Sequence, residues 1–158
     1  MLDDETKKRI NTLRQILVGK LPDPKAQVEQ ITNALIYKFM NDMDEESLSM
    51  GGKATYFSGS FEKYSWKNLM DTKTSGVEKL SLYADALNKM SDNENLPTLF
   101  RNIFKDSVLP FKDPATLNMF LKEINEFHYS NSEKLGDAFE YLLSFMGSQG
   151  DAGQFRTP

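Results

Sequence analysis

The chain contains no cysteine, one histidine and one tryptophan. Without thiols there is no disulfide framework, no thiolate metal site and no cysteine nucleophile. His128 has no second imidazole to join it in a usual zinc set, and its place at the end of an amphipathic stretch suits packing or a C-terminal dipole role, so it is assigned no chemistry. Long apolar runs are missing too: nothing approaches the ~18 residues that cross a bilayer. Residues 1–10 are charged throughout, with no apolar stretch leading to a small-residue cleavage site. These absences point to a cytoplasmic protein with no membrane partner. Positive charge is not in excess either. Against 23 Asp and Glu stand 19 Lys and Arg, a net charge of -4, whereas free-standing nucleic-acid binders need surplus cations to displace counterions from phosphates. If this chain meets DNA, something else supplies most of the affinity. No alternating strand pattern, nucleophile–base pair or phosphate loop is visible, which disfavours an independent enzyme.

What is present is helix punctuation. The chain has 158 residues, 39% hydrophobic and 27% charged, an ordinary globular composition for one domain with its own core. Over residues 3–19, Ile10, Leu13 and Leu17 fall at helical spacing behind an acidic first turn. Asp23-Pro24 reads as an N-cap with proline at the first helical position, followed by the stripe Val28, Ile31, Leu35 and Phe39 and an end near Asn41. Asp113-Pro114 repeats the device before Leu117, Phe120, Leu121, Ile124 and Phe127 or His128. Ser75 and Glu78 form a capping box ahead of Val77, Leu80, Ala84, Leu87 and Met90, predicting a helix over 75–91. A shorter helix starting near Pro97 carries Leu99, Phe100, Ile103 and Phe104, and Ser132 can cap a last one with Leu135, Phe139, Leu142 and Phe145 or Met146 on its inner face. The expectation is an all-α multi-helix bundle of about six helices with one long irregular loop, residues 50–70, broken by Gly51, Gly52 and Gly59.

Three groups invite chemistry. Asp42, Asp44, Glu45 and Glu46 lack ligand-orienting spacing and read as a solvated first turn of a helix rather than a metal site. Lys7, Lys8 and Arg9 read as a solvated helix face. The loop interleaves Lys53, Tyr56, Phe57, Phe61, Lys63, Tyr64, Trp66 and Lys67, a mixture able to stack on bases and neutralise phosphates. The spacing of Phe61, Tyr64 and Trp66 favours aromatics that cover the core while the lysines face water. Even so, an irregular segment on a helical scaffold is a common place for recognition. Lys53, Tyr56, Lys63, Trp66 and Lys67 are therefore the candidate contacts for DNA or a partner.

The C-terminal stretch differs in kind. Gly147-Ser148-Gln149-Gly150-Asp151-Ala152-Gly153 is a glycine-spaced linker that does not match G-x-G-x-x-G, and the polar, proline-closed ending suggests a chain cut ahead of a second domain. Leu135-Gly136-Asp137-Ala138-Phe139-Glu140-Tyr141-Leu142-Leu143, followed by Gly153-Gln154-Phe155-Arg156-Thr157-Pro158, resembles the junction in the modification subunit of type I restriction-modification systems. Leu21-Pro22, the helix over 31–42 and the 50–70 loop resemble that family's N-terminal domain less specifically.

The resemblance implies two parts: an N-terminal helical domain over residues 1–146, then a linker and the start of an absent Rossmann-like methyltransferase domain over residues 147–158. In that family the catalytic domain transfers a methyl group from S-adenosylmethionine to adenine N6 in DNA. Gly153, Gln154, Phe155, Thr157 and Pro158 match the family's first cofactor-proximal motif, with Arg156 standing where an aromatic residue is frequent. These six positions would border the methionine part of the cofactor. The glycine-rich cofactor loop and the Asn-Pro-Pro-aromatic motif are missing, and the chain has no Pro-Pro pair. Alone it should be inactive and bind S-adenosylmethionine poorly, with no pocket for a flipped adenine. The implied partners are the specificity subunit, a second modification subunit, the restriction subunit of the full complex and DNA. The alternative, from another class, is a self-contained helical protein-interaction module.

Overall fold

The computed structural model describes residues 4–128 together with Gly136, Asp137, Glu140 and Tyr141. Among them every regular element is helical: α1 (Asp4–Val18), α2 (Pro24–Ser49), α3 (Trp66–Leu69), α4 (Gly76–Lys89), α5 (Thr98–Phe104) and α6 (Pro114–Asn125), with 3-10 turns at Gly59–Tyr64 and Met90–Asp92. The expected helix capped by Ser132 and the 147–158 segment, including the six cofactor-motif positions 153–158, lie outside the described residues apart from those four.

Each start signal acts through the atoms that make it one. Asp23 accepts from the Lys25 N–H at 3.2 Å, and Asp113 accepts from the Ala115 N–H at 3.1 Å. Ser75 Oγ accepts from Glu78 N while Glu78 returns an acceptor to Ser75 N, the reciprocal box. The Asp113 carboxyl is held below its ordinary value chiefly by the Thr116 hydroxyl, which donates to it at 2.7 Å, and also by the Ala115 N–H and Lys20.

α2 is the central post. It packs against α1, α3, α5 and α6, and Val28, Ile31, Ala34, Leu35, Ile36, Tyr37, Phe39 and Met40 are all buried, so its burial runs nearly all the way round rather than along one stripe. α1 closes one side through Ile10, Leu13 and Leu17, each fully buried, and α6 lies across it with Leu117, Phe120, Leu121 and Ile124. Phe127, not His128, completes the α6 face; His128 is exposed.

Three readings are corrected. The face of α4 turns on Tyr83, Ala86, Leu87 and Met90, leaving Val77 exposed, and Leu99 of α5 is exposed as well. More consequentially, α2 does not stop near Asn41 but runs two turns further to Ser49. Its stop is Gly51-Gly52: Gly51 has φ +85, its N–H reaches Leu48 O at 3.1 Å and the Gly52 N–H reaches Ser47 O at 2.8 Å, the paired bonds of a Schellman motif. The acidic run 42–46 therefore occupies the last turns of a helix, not the first turn of another.

Candidate functional site

Carboxylates near a helix C-terminus oppose the helix dipole, so those in the last turns of α2 need partners. Asp42 has one in Lys38 one turn earlier: Lys38 Nζ lies 2.8 Å from both Asp42 oxygens and donates to Phe127 O at 2.9 Å. Lys38 is only 3% exposed, so this is a buried charge satisfied by a carboxylate and a carbonyl, tying α2 to the end of α6.

Asp44 is buried at 5% exposure, which overturns the solvated-turn reading. Its Oδ1 accepts from the N–H groups of Thr55 (2.8 Å) and Tyr56 (3.1 Å), and its Oδ2 from that of Phe57 (2.9 Å). Three main-chain donors converge on one carboxylate, so the charge is spent on folding the loop. Among the described residues no group of three or more acidic or histidine side chains is placed to hold a metal ion.

From Asp44 onward the 50–70 segment wraps its aromatics around Tyr37 of α2. The Tyr37 ring stacks on Phe57 (centroids 5.6 Å apart) and Tyr83 (5.8 Å) and meets Trp66 edge-on at 5.6 Å. Side chains of the bundle hold the segment's backbone and rings. Tyr37 Oη donates to Tyr64 O, Asn41 Oδ1 accepts from Lys67 N, Asn93 Nδ2 donates to Tyr56 O, and Trp66 Nε1 donates to Asn125 Oδ1 at 2.8 Å. Tyr64 donates its hydroxyl to Asp85. Burial, that hydrogen bond and the Asp85 charge push the Tyr64 phenol up to about 12; burial also raises Tyr37 and Tyr83 above the ordinary tyrosine value.

The five candidate contacts thus separate. Lys53, Lys63 and Lys67 are exposed, Tyr56 is half-buried, and Trp66 is 2% exposed, with its ring and its N–H both engaged in the core. Trp66 has no face left for stacking on a base, because the helical spacing that places it puts it inward. Lys63 Nζ sits 5.1 Å from the Tyr64 ring centroid, so its stem lies along the segment's own surface. In the basic run of α1, Arg9 reaches Glu5 (3.4 Å) and, across to α6, Glu123 (3.5 Å) and Glu126 (3.8 Å), so it serves packing. Lys7 lies near the Tyr141 ring, and Lys8 is exposed.

Sequence reasoning missed Asp44, whose partners lie 11–13 residues away, and Lys38, which pairs with Asp42 four residues on and with the Phe127 carbonyl 89 residues away; an acidic residue ahead of a Gly-Gly stop was the available signal for the first. No helix among the described residues is long and apolar enough to cross a membrane. No protein-family model, curated protein or solved structure matches the chain.

Proposed function

We propose that residues 1–146 are the N-terminal helical domain of the modification subunit of a type I restriction-modification system. In this reading a Rossmann-like domain beyond residue 158 carries out S-adenosylmethionine-dependent adenine N6 methylation, and the helical domain helps clamp DNA and assemble the subunits. The observation that carries it is the pairing of the 135–143 stretch with Gly153-Gln154-Phe155-Arg156-Thr157-Pro158. An all-helical bundle upstream supports it. So does the net charge of -4, which suits an assisting role better than independent DNA binding.

Within that assembly Lys53, Lys63 and Lys67 neutralise phosphates or meet acidic partner groups, with Tyr56 beside them. They are exposed cations on a segment whose other aromatics face inward. Phosphate contacts position a protein on DNA without reading its sequence, which leaves target choice to the specificity subunit.

The test is calorimetric titration of S-adenosylmethionine into this chain and into the chain extended by its downstream coding sequence. Binding to the longer chain alone supports a cofactor site that straddles positions 153–158. Binding to neither overturns the reading and favours the helical interaction module.

A further inference from the structure

α2 is enclosed on nearly every side, but its N-terminal half borders an open groove. The groove has a volume of about 640 Å³ and runs between residues 26–33 of α2 and residues 103–110, which begin in the last turn of α5 and continue beyond it. That volume is in the range of ligand-binding clefts. Two carboxamides three residues apart, Gln30 and Asn33, line it, and each is 6% exposed. Gln30 Nε2 donates to Val108 O at 2.9 Å, while Gln30 Oε1 is buried with no donor. The Asn33 carboxamide forms no hydrogen bond among the described residues. Buried amides are almost always paired, and on this wall the Gln30 oxygen is the exception, while the carboxamide of Asn33, which also lines the groove, keeps its polar atoms within reach of solvent.

The rim adds two facts. Asp106 sits at φ +62, in the left-handed region that glycine occupies without strain. It is exposed, as is Glu29 across the groove, and neither carboxylate has an ion-pair partner among the described residues. With Lys105 the lining charges are two negative and one positive, a net of one negative. The walls are aliphatic, Val28, Ile103 and Pro110 among them, and no aromatic ring lines the groove.

We propose that this groove binds an extended peptide segment that carries a lysine or arginine between small apolar side chains. The main chain of such a segment offers the alternating N–H and C=O groups that a carboxamide pairs with, its apolar side chains fit the walls, and its cation meets Glu29 and Asp106. A nucleobase would find no ring to stack on, and a phosphate would meet the unpaired carboxylates. The inference does not rest on the methyltransferase reading: it holds equally for an interaction module, and S-adenosylmethionine binding does not bear on it.

The test is ¹⁵N NMR of the chain titrated separately with three probes: the capped pentapeptides N-acetyl-Ala-Val-Arg-Val-Ala-amide and N-acetyl-Ala-Val-Glu-Val-Ala-amide, and adenosine. The expected result is saturable shifts of the Asn33 side-chain NH₂ and of the amides of residues 106–108 with the arginine peptide, with the glutamate peptide binding about fivefold more weakly. Asn33→Leu should abolish the shifts of the 106–108 amides. Asp106→Gly, which keeps the left-handed backbone without steric cost, should lower the arginine peptide's affinity by up to about fivefold in a fully folded protein. Three results would overturn the proposal: unmoved Asn33 resonances, equal binding of the two peptides, or adenosine shifting the same signals.

Discussion

α1 and the 50–70 segment bury their apolar side chains equally well by opposite means. In α1 the backbone satisfies itself, and Ile10, Leu13 and Leu17 reach full burial because helical spacing puts them on one face. In the 50–70 segment Phe57, Tyr64, Trp66 and Leu69 are all within 4% of full burial, but apart from two short helical turns the backbone lacks a regular hydrogen-bond pattern. Six of its N–H and C=O groups are bonded from outside, by Asp44, Asn41, Asn93 and Tyr37. A long irregular stretch of sequence is thus not evidence of a loose one; what matters is whether distant side chains meet its main-chain groups.

The comparison breaks most sharply at Trp66. Trp66→Ala removes the largest fully buried side chain and leaves Asn125 unpaired, and should cost about 4 kcal/mol, against about 3 kcal/mol for Leu13→Ala in α1. Urea unfolding of both variants measures the difference; a Trp66 variant no less stable than the parent would make the segment an appendage.

Asp44→Ala comes next. It removes the acceptor of three main-chain N–H groups, that of Phe57 buried and those of Thr55 and Tyr56 less so, and should cost about 3 kcal/mol. Glu45→Ala, one residue on and exposed, should change stability by less than about 0.5 kcal/mol. Equal effects in the two variants would return the acidic run to a solvated helix face.

Alkaline pH separates the regions without mutation. Tyr64 titrates near 12 in the folded chain against 10 when unfolded, so its neutral form stabilises the fold in full below pH 10, and that contribution is lost as pH rises towards 12. Tyr37 and Tyr83 shift in the same direction. Thermal melts should therefore fall steeply above pH 10, and Tyr64→Phe should flatten part of that fall. A Tyr64→Phe profile that superimposes on the parent's would remove the phenol from the account.

The smallest effect belongs to the surface cations. Lys63→Ala with Lys67→Ala should alter stability by less than about 1 kcal/mol. On the proposed reading as part of a DNA methyltransferase, the pair should reduce the salt dependence of that assembly's DNA binding by about two phosphate contacts. Unchanged salt dependence and affinity would clear these lysines of DNA contact.

How much was legible follows the same division. The caps at Asp23, Ser75 and Asp113 operate within three residues, and each appears in the structure as the sequence reads. Asp42 to Glu46 misled because acidic residues favour helix starts; Lys38 stands one helical turn before Asp42 and was a local signal against that reading, whereas the 55–57 amides that meet Asp44 required the fold to be seen. Val77 and Leu99 fit helical spacing but point outward, since periodicity gives a face and not its rotation against neighbours. The inward aromatics of the 50–70 segment followed from their spacing, whereas Tyr37, the ring around which they gather, carried no signal of that role. The Gln30 and Asn33 groove was invisible because it is made by residues 103–110 crossing in front of a helix that reads as plain core.

Native-state hydrogen exchange at Thr55, Tyr56 and Phe57 tests most directly whether this irregular segment is as firmly built as the helices. The account predicts protection of these three amides comparable to that of the middle of α2, lost selectively in Asp44→Ala; exchange in the intact protein as fast as in an open loop would contradict it.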